Sequence, residues 1–106
     1  MTGTVAAQER DQLSLEDFRQ NYRLTLRRFL PRRDEAAREA AYDLGRRAFT
    51  ASISLLDVCR VHHDSSLELL SETRAAEQGE IFETTGELLL EVLAAYDMTH
   101  RSVLDP

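Results

Sequence analysis

The feature that most constrains this chain is how little interrupts it. Across 106 residues there are four Gly and two Pro, and Pro106 ends the chain, so Pro31 is the one internal proline. Ala, Leu, Glu and Arg dominate, and all four favour helix. A chain with so few breakers and with apolar residues spaced three and four apart is expected to be all-α. At this length it suits one domain with one modest core.

Four helices can be read from start and stop signals. Residues 1–13 are expected to be a flexible lead-in, with the ordered domain over 14–106. The first helix is expected from Leu15 to Leu30, with Ser14 as N-cap and Asp17 three residues on. Leu15, Phe18, Tyr22, Leu26 and Phe29 share one face. Pro31 stops it. The second is expected from Glu35 to Ala51 behind an Asp34 cap. Its ridge of Ala37, Ala40, Ala41, Leu44, Ala48 and Ala51 is small enough to admit a neighbouring helix closely. Gly45 and Gly86, inside helices, are expected to mark close helix contact.

The third helix is expected from Leu55 to Ser71, with Ser54 and Asp57 as a second capping pair. At about 100° per residue its polar residues occupy one narrow sector. Leu55, Leu56, Val58, Cys59, Val61, Leu67, Leu69 and Leu70 cover the rest, a wider arc than one packing partner requires. After a polar connection from Glu72 to Gly79, the fourth helix is expected from Glu80 to Val103. Ile81, Phe82, Leu88, Leu89, Val92, Leu93, Tyr96 and Val103 form its main stripe. Leu90, Ala94 and Met98 form a second strip among charged residues. The expected architecture is an antiparallel four-helix bundle, completed as a two-fold homodimer over the surplus apolar surface. Leu90, Ala94, Met98 and Asp97, with Leu56, His63 and Leu67, are the candidate interface residues. The competing reading is that they complete the core.

Charge excludes some functions. The net charge is −6, which disfavours nucleic acid as a partner. Residues 1–52 hold ten Arg against eight acids, and 53–106 hold three against eleven. Such opposed halves can be satisfied within the bundle or across a dimer. Cys59 is the sole cysteine, so no internal disulfide forms and nothing suggests an oxidising compartment. Met1 to Arg10 lack an apolar signal core, and apolar runs are too short to span a bilayer. A cytoplasmic protein is expected.

No catalytic constellation stands out, and neither a cofactor nor a metal is expected. His62, His63 and Asp64, with His100, resemble a zinc set. Adjacent helical residues point about 100° apart, however, and helical zinc pairs use i, i+4 spacing. A buried or half-buried histidine, hydrogen-bonded to a nearby polar group, is the preferred reading of His62 and His63. Cys59, one turn from His62 and His63, could pair with a histidine as a nucleophile, but reads more simply as a small buried hydrophobe. Glu80, Glu83, Glu87 and Glu91 recur on one helix, without the Glu-x-x-His partner that a di-metal site needs. A small-ligand or metal sensor built on His62, His63 and His100 is the alternative function, and a small Cys/His enzyme the third.

Two stretches together carry a resemblance. One is Leu44-Gly45-Arg46-Arg47-Ala48, continuing through Ser54-Leu55-Leu56-Asp57-Val58 to His62-His63. The other is Leu88-Leu89-Leu90-Glu91 through Tyr96-Asp97-Met98-Thr99-His100-Arg101. The pair resembles the N-terminal regulatory domain of RsbU-type phosphoserine phosphatases, which is structurally related to the C-terminal domain of the circadian protein KaiA. The resemblance spans about residues 15–103. It implies a dimeric four-helix module of bacterial partner switching. Such a module binds a kinase-like switch protein and passes the signal to an attached phosphatase, which frees a stress sigma factor. Family catalysis lies in that attached domain, so no catalytic residue carries over. The chain stops at Asp105-Pro106, where the family continues into a linker. It is therefore expected to be either one domain of a longer protein or a stand-alone regulator.

Overall fold

A computed structural model describes the backbone of residues 3–104 and the side chains of residues 14–104. Four α-helices account for most of it: α1 (Gly3–Phe29), α2 (Glu35–Thr50), α3 (Leu55–Ser71) and α4 (Gln78–Leu104). A single 3₁₀ turn, Ala75–Glu77, leads into α4, and there is no strand among the described residues.

The caps explain where the middle helices begin. Asp34 Oδ1 accepts from the Ala37 amide at 2.9 Å, and Ser54 Oγ accepts from the Asp57 amide at 3.1 Å. Each supplies one of the orphan amides of a first turn with a partner. Helix α1 begins much earlier than the Ser14–Asp17 pair suggests. Its backbone is helical from Gly3, so Ser14 lies inside the helix and is not its cap. The reason is the absence of a breaker before Pro31: Ala6, Ala7, Gln8, Glu9 and Arg10 all propagate helix. The connection before α4 is also shorter than expected, because the chain is already turning at Ala75.

Helix α2 ends one residue before Ala51 in a Schellman turn. The Ile53 amide donates to Ala48 O at 2.9 Å and the Ser52 amide to Phe49 O at 3.0 Å. Ser52 is left-handed, with φ 60°. That conformation usually falls to glycine after a helix. Ile53, the next residue, turns back into the core and is buried.

The core draws on all four helices. It comprises Phe18, Tyr22, Leu26 and Phe29 of α1, Ala41, Leu44 and Ala48 of α2, Val58, Val61 and Leu69 of α3, and Leu88 and Val92 of α4, with Ile53 from the turn between α2 and α3. The most extensive packing is between α2 and α4. Gly45 makes it possible: a Cβ there would collide with the Val92 carbonyl oxygen and stand 2.8 Å from Ala95 Cβ. Gly86 does not share that role, since a Cβ there meets nothing within 4 Å. Helix α1 packs on both α2 and α3, and α3 packs on α4.

Residue pairs rise together along neighbouring helices. Between α1 and α3, Tyr22 meets His62, Arg23 meets Glu68 and Arg27 meets Glu72. Between the α2 side and α4, Arg33 meets Glu87 and Phe49 meets Tyr96 and His100. Three of these contacts are ion pairs that join the arginine-rich first half to the acid-rich second half. Part of the opposed charge of the two halves is thus paired inside the fold.

Candidate interaction surface

The surplus apolar surface of α3 and α4 is real, and it faces outward. Leu56 is 61% exposed, Leu67 54%, Leu90 69% and Met98 57%, values ordinarily seen for polar helix positions. Ala94, Asp97 and His63 are exposed as well. None of the seven candidate residues completes the core. Their neighbours on the wheel do: Val58, Val61, Ser65 and Leu69 on α3, and Thr84, Thr85, Leu88, Val92 and Ala95 on α4, are buried.

The candidates fall into two groups. Leu56, His63 and Leu67 lie within about 40° of one another on α3 at 100° per residue. Leu90, Ala94 and Met98 run obliquely along the outer side of α4, with Asp97 beside them and paired to Arg101 at 3.0 Å. Among the described residues, no hydrogen bond or ion pair joins the groups.

Phe82, expected from the sequence on the main α4 stripe, is instead 68% exposed. It sits over α3, where Leu67, Leu70, Ser71, Gln78, Gly79 and Phe82 line an open apolar groove. Gln78 fastens the two helices at that end by donating to the Leu70 and Thr73 carbonyls, both at 3.3 Å. Phe82 extends the α3 group onto α4. Its position near the start of α4 was the available clue, because a helix end has fewer neighbours to cover it. Val103, placed on the same stripe, is 62% exposed at the other end of the helix for the same reason.

The titratable residues do not gather. His62 turns inward: its Nδ1 lies 2.7 Å from the Tyr22 hydroxyl and its Nε2 3.4 Å from Ser66 Oγ. Burial, reinforced by the neighbouring His63, pushes its pKa down and favours the neutral ring. His100 packs against Phe49 with ring centroids 5.4 Å apart, while His63 is exposed. No group of three or more His, Cys, Asp or Glu is placed to hold a metal among the described residues. Cys59 is exposed, contrary to the expectation of a buried thiol. It falls about 100° from the buried centre of α3 at Val58, on the side shared with His63. Glu87, within the acidic row of α4, accepts a bond from Arg33 at 2.8 Å.

A second depression lies where α1 crosses the end of α2. Phe18, Leu44 and Ile53 form its floor, and Asp17, Asn21 and Arg47 stand at its rim. Arg47 is already engaged by Asp43 at 2.8 Å.

These features define a small all-helical domain with an uncovered apolar surface on two of its helices. Among the described residues no helix is long and apolar enough to cross a membrane. Residues 20–99 match the family model of "Phosphoserine phosphatase RsbU, N-terminal domain", and the chain belongs to that family. The matched region runs from the middle of α1 to near the end of α4. It corresponds to the regulatory N-terminal domain and not to the phosphatase catalytic domain. No curated protein and no solved structure matches the chain.

Proposed function

We propose that this chain is a non-catalytic dimerisation and partner-binding module of RsbU-like signalling, acting in bacterial partner switching that controls a stress sigma factor. In this reading the helices run up and down, consecutive ones antiparallel, and two copies pair about a two-fold axis in the cytoplasm. The partner is a kinase-like switch protein, and phosphatase activity belongs to a domain outside this chain.

One observation carries the proposal. Leu56, Leu67, Leu90 and Met98 are each more than half exposed on helices whose opposite faces are fully packed. Large apolar side chains on rigid helices, outside the core, are what a helical docking surface requires. Family membership supports it independently.

The test pairs the two groups. Leu56→Glu with Leu67→Glu, and Leu90→Glu with Met98→Glu, should leave the circular dichroism spectrum unchanged. One pair should convert a dimer to a monomer in sedimentation, and one should abolish capture of the purified kinase-like partner. A wild-type chain that sediments as a monomer at high concentration and captures no such partner refutes the proposal.

A further inference from the structure

The seam between α1 and α3 is slight beside that between α2 and α4. Its surface is held by Arg23–Glu68 at 2.6 Å and Arg27–Glu72 at 3.3 Å. Beneath them, among the described residues, lies a single part-buried polar link. Tyr22 has no solvent exposure, and among the described residues its hydroxyl bonds to one atom, His62 Nδ1, at 2.7 Å. A buried phenol must donate its proton to some acceptor. Nδ1 is therefore the acceptor, and the neutral ring carries its own proton on Nε2, on the side of Ser66.

The surroundings of this link are nearly free of charge. On α3 the titratable neighbours are Cys59 and His63, which act on Tyr22 and His62 respectively. On α1, Arg23 is the next residue after Tyr22 and is already held by Glu68. The buried faces of α2 (Ala41, Leu44, Gly45, Ala48) and α4 (Thr84, Thr85, Leu88, Val92, Ala95) bring no charge. No carboxylate among the described residues bonds to the imidazole.

We infer that Tyr22 and His62 form a proton-sensitive latch: a proton taken from water onto Nδ1 loosens α3 from α1 and shifts the face bearing Leu56, His63 and Leu67. With Nδ1 protonated, two donors confront each other across 2.7 Å. The Tyr22 oxygen can then accept only if its own hydrogen turns away, and among the described residues the site offers that hydrogen no second acceptor. Among the described residues no carboxylate is placed to pair with the new imidazolium. Burial pushes the Tyr22 phenol well above its ordinary value, so it stays a donor throughout.

The sign follows from His62 having a lower pKa folded than unfolded. The unfolded or opened state binds the proton more readily. The latch therefore holds fully above the ordinary histidine value of about 6.5, and weakens as pH falls below it. The consequence for docking rests on the function proposed above, whereas the latch itself is measurable without any partner.

The experiment uses the full chain, with Tyr22→Phe and His62→Asn as variants. Proton NMR of the imidazole C–H signals should place the His62 midpoint below about 6.5. Tyr22→Phe should move that midpoint upward by removing the bond that favours the neutral ring. Amide exchange, corrected for its intrinsic pH dependence, should rise in α1 and α3 between pH 7 and pH 5, while α2 and α4 stay constant. His62→Asn keeps an acceptor for Tyr22 but cannot be protonated, so its exchange should be flat over that range. A His62 midpoint at or above the ordinary value overturns the inference. So does a His62→Asn chain whose α1 and α3 respond to pH as the wild type does. Neither readout involves self-association or a partner, so failure of the docking proposal leaves both measurements standing.

Discussion

Gly45 and Tyr96 meet so closely that a Cβ on the glycine would stand 2.9 Å from the Tyr96 backbone nitrogen. The atom obstructing it is main chain, which cannot rotate aside as a side chain would. Gly45→Ala should therefore lower stability by about 2 kcal/mol or more, despite the better helix propensity of alanine. Gly86→Ala, in the open, should instead raise it by up to about 1 kcal/mol. Urea unfolding of the two variants checks both signs in one experiment.

Ser52 presents the reverse situation. It occupies the left-handed position of the turn after α2, at φ 60°. A side chain there costs roughly 1 kcal/mol relative to glycine. Ser52→Gly should raise the melting temperature, provided the Ile53 and Ser52 amide bonds to α2 survive. Loss of stability on this substitution would mean that the serine side chain contributes something its backbone does not explain.

Tyr96 ties α4 to the start of α3 through one bond, its hydroxyl donating to the Ile53 carbonyl at 2.8 Å. Removing the hydroxyl leaves that carbonyl without this donor. Tyr96→Phe should cost about 1 kcal/mol. The edge contact with Phe49, at 5.5 Å between centroids, survives the change. Amide exchange should therefore localise the loss to the Ala51–Ser54 turn.

Leu88 and Leu90 stand two residues apart on α4, the first fully buried and the second 69% exposed. Leu88→Ala should destabilise by about 2–5 kcal/mol through the cavity it leaves. Leu90→Ala should stay within about 0.5 kcal/mol in the isolated chain. Comparable losses at both positions would show that Leu90 is covered in solution, and concentration dependence of that loss would identify a second copy as the cover.

Much of the local structure was legible in the residues. Asp34 and Ser54 announce their helices because a cap is a contact between neighbours in sequence. The spacing of Phe18, Tyr22, Leu26 and Phe29 places them on one face whatever lies opposite. The two motif stretches pointed to the family whose model matches residues 20–99, a span that holds nearly all of both. His62 was read as a buried or half-buried, hydrogen-bonded histidine, although Tyr22, forty residues earlier, could not have been named as its partner.

The seven candidate interface residues were singled out by surplus, and the fold leaves every one of them outside. Cys59 and Phe82 were misplaced, and both lie on the flanks of wide apolar arcs. Periodicity gives each residue an angle around its helix axis. It does not say how much of the arc a neighbour will cover. Ser14 was misread because a capping pattern is also an ordinary helical sequence when nothing upstream stops the helix.

Local chemistry alone thus determined that the chain is helical, where α2 and α3 begin, and which residues share a face. Tertiary structure alone decided which of two helical glycines is indispensable, since that depends on α4 lying against Gly45 and away from Gly86. It also decided which apolar residues are left over. Burial depends on the distance to other helices, and distance across the bundle is set by packing between segments remote in sequence, which no local pattern encodes.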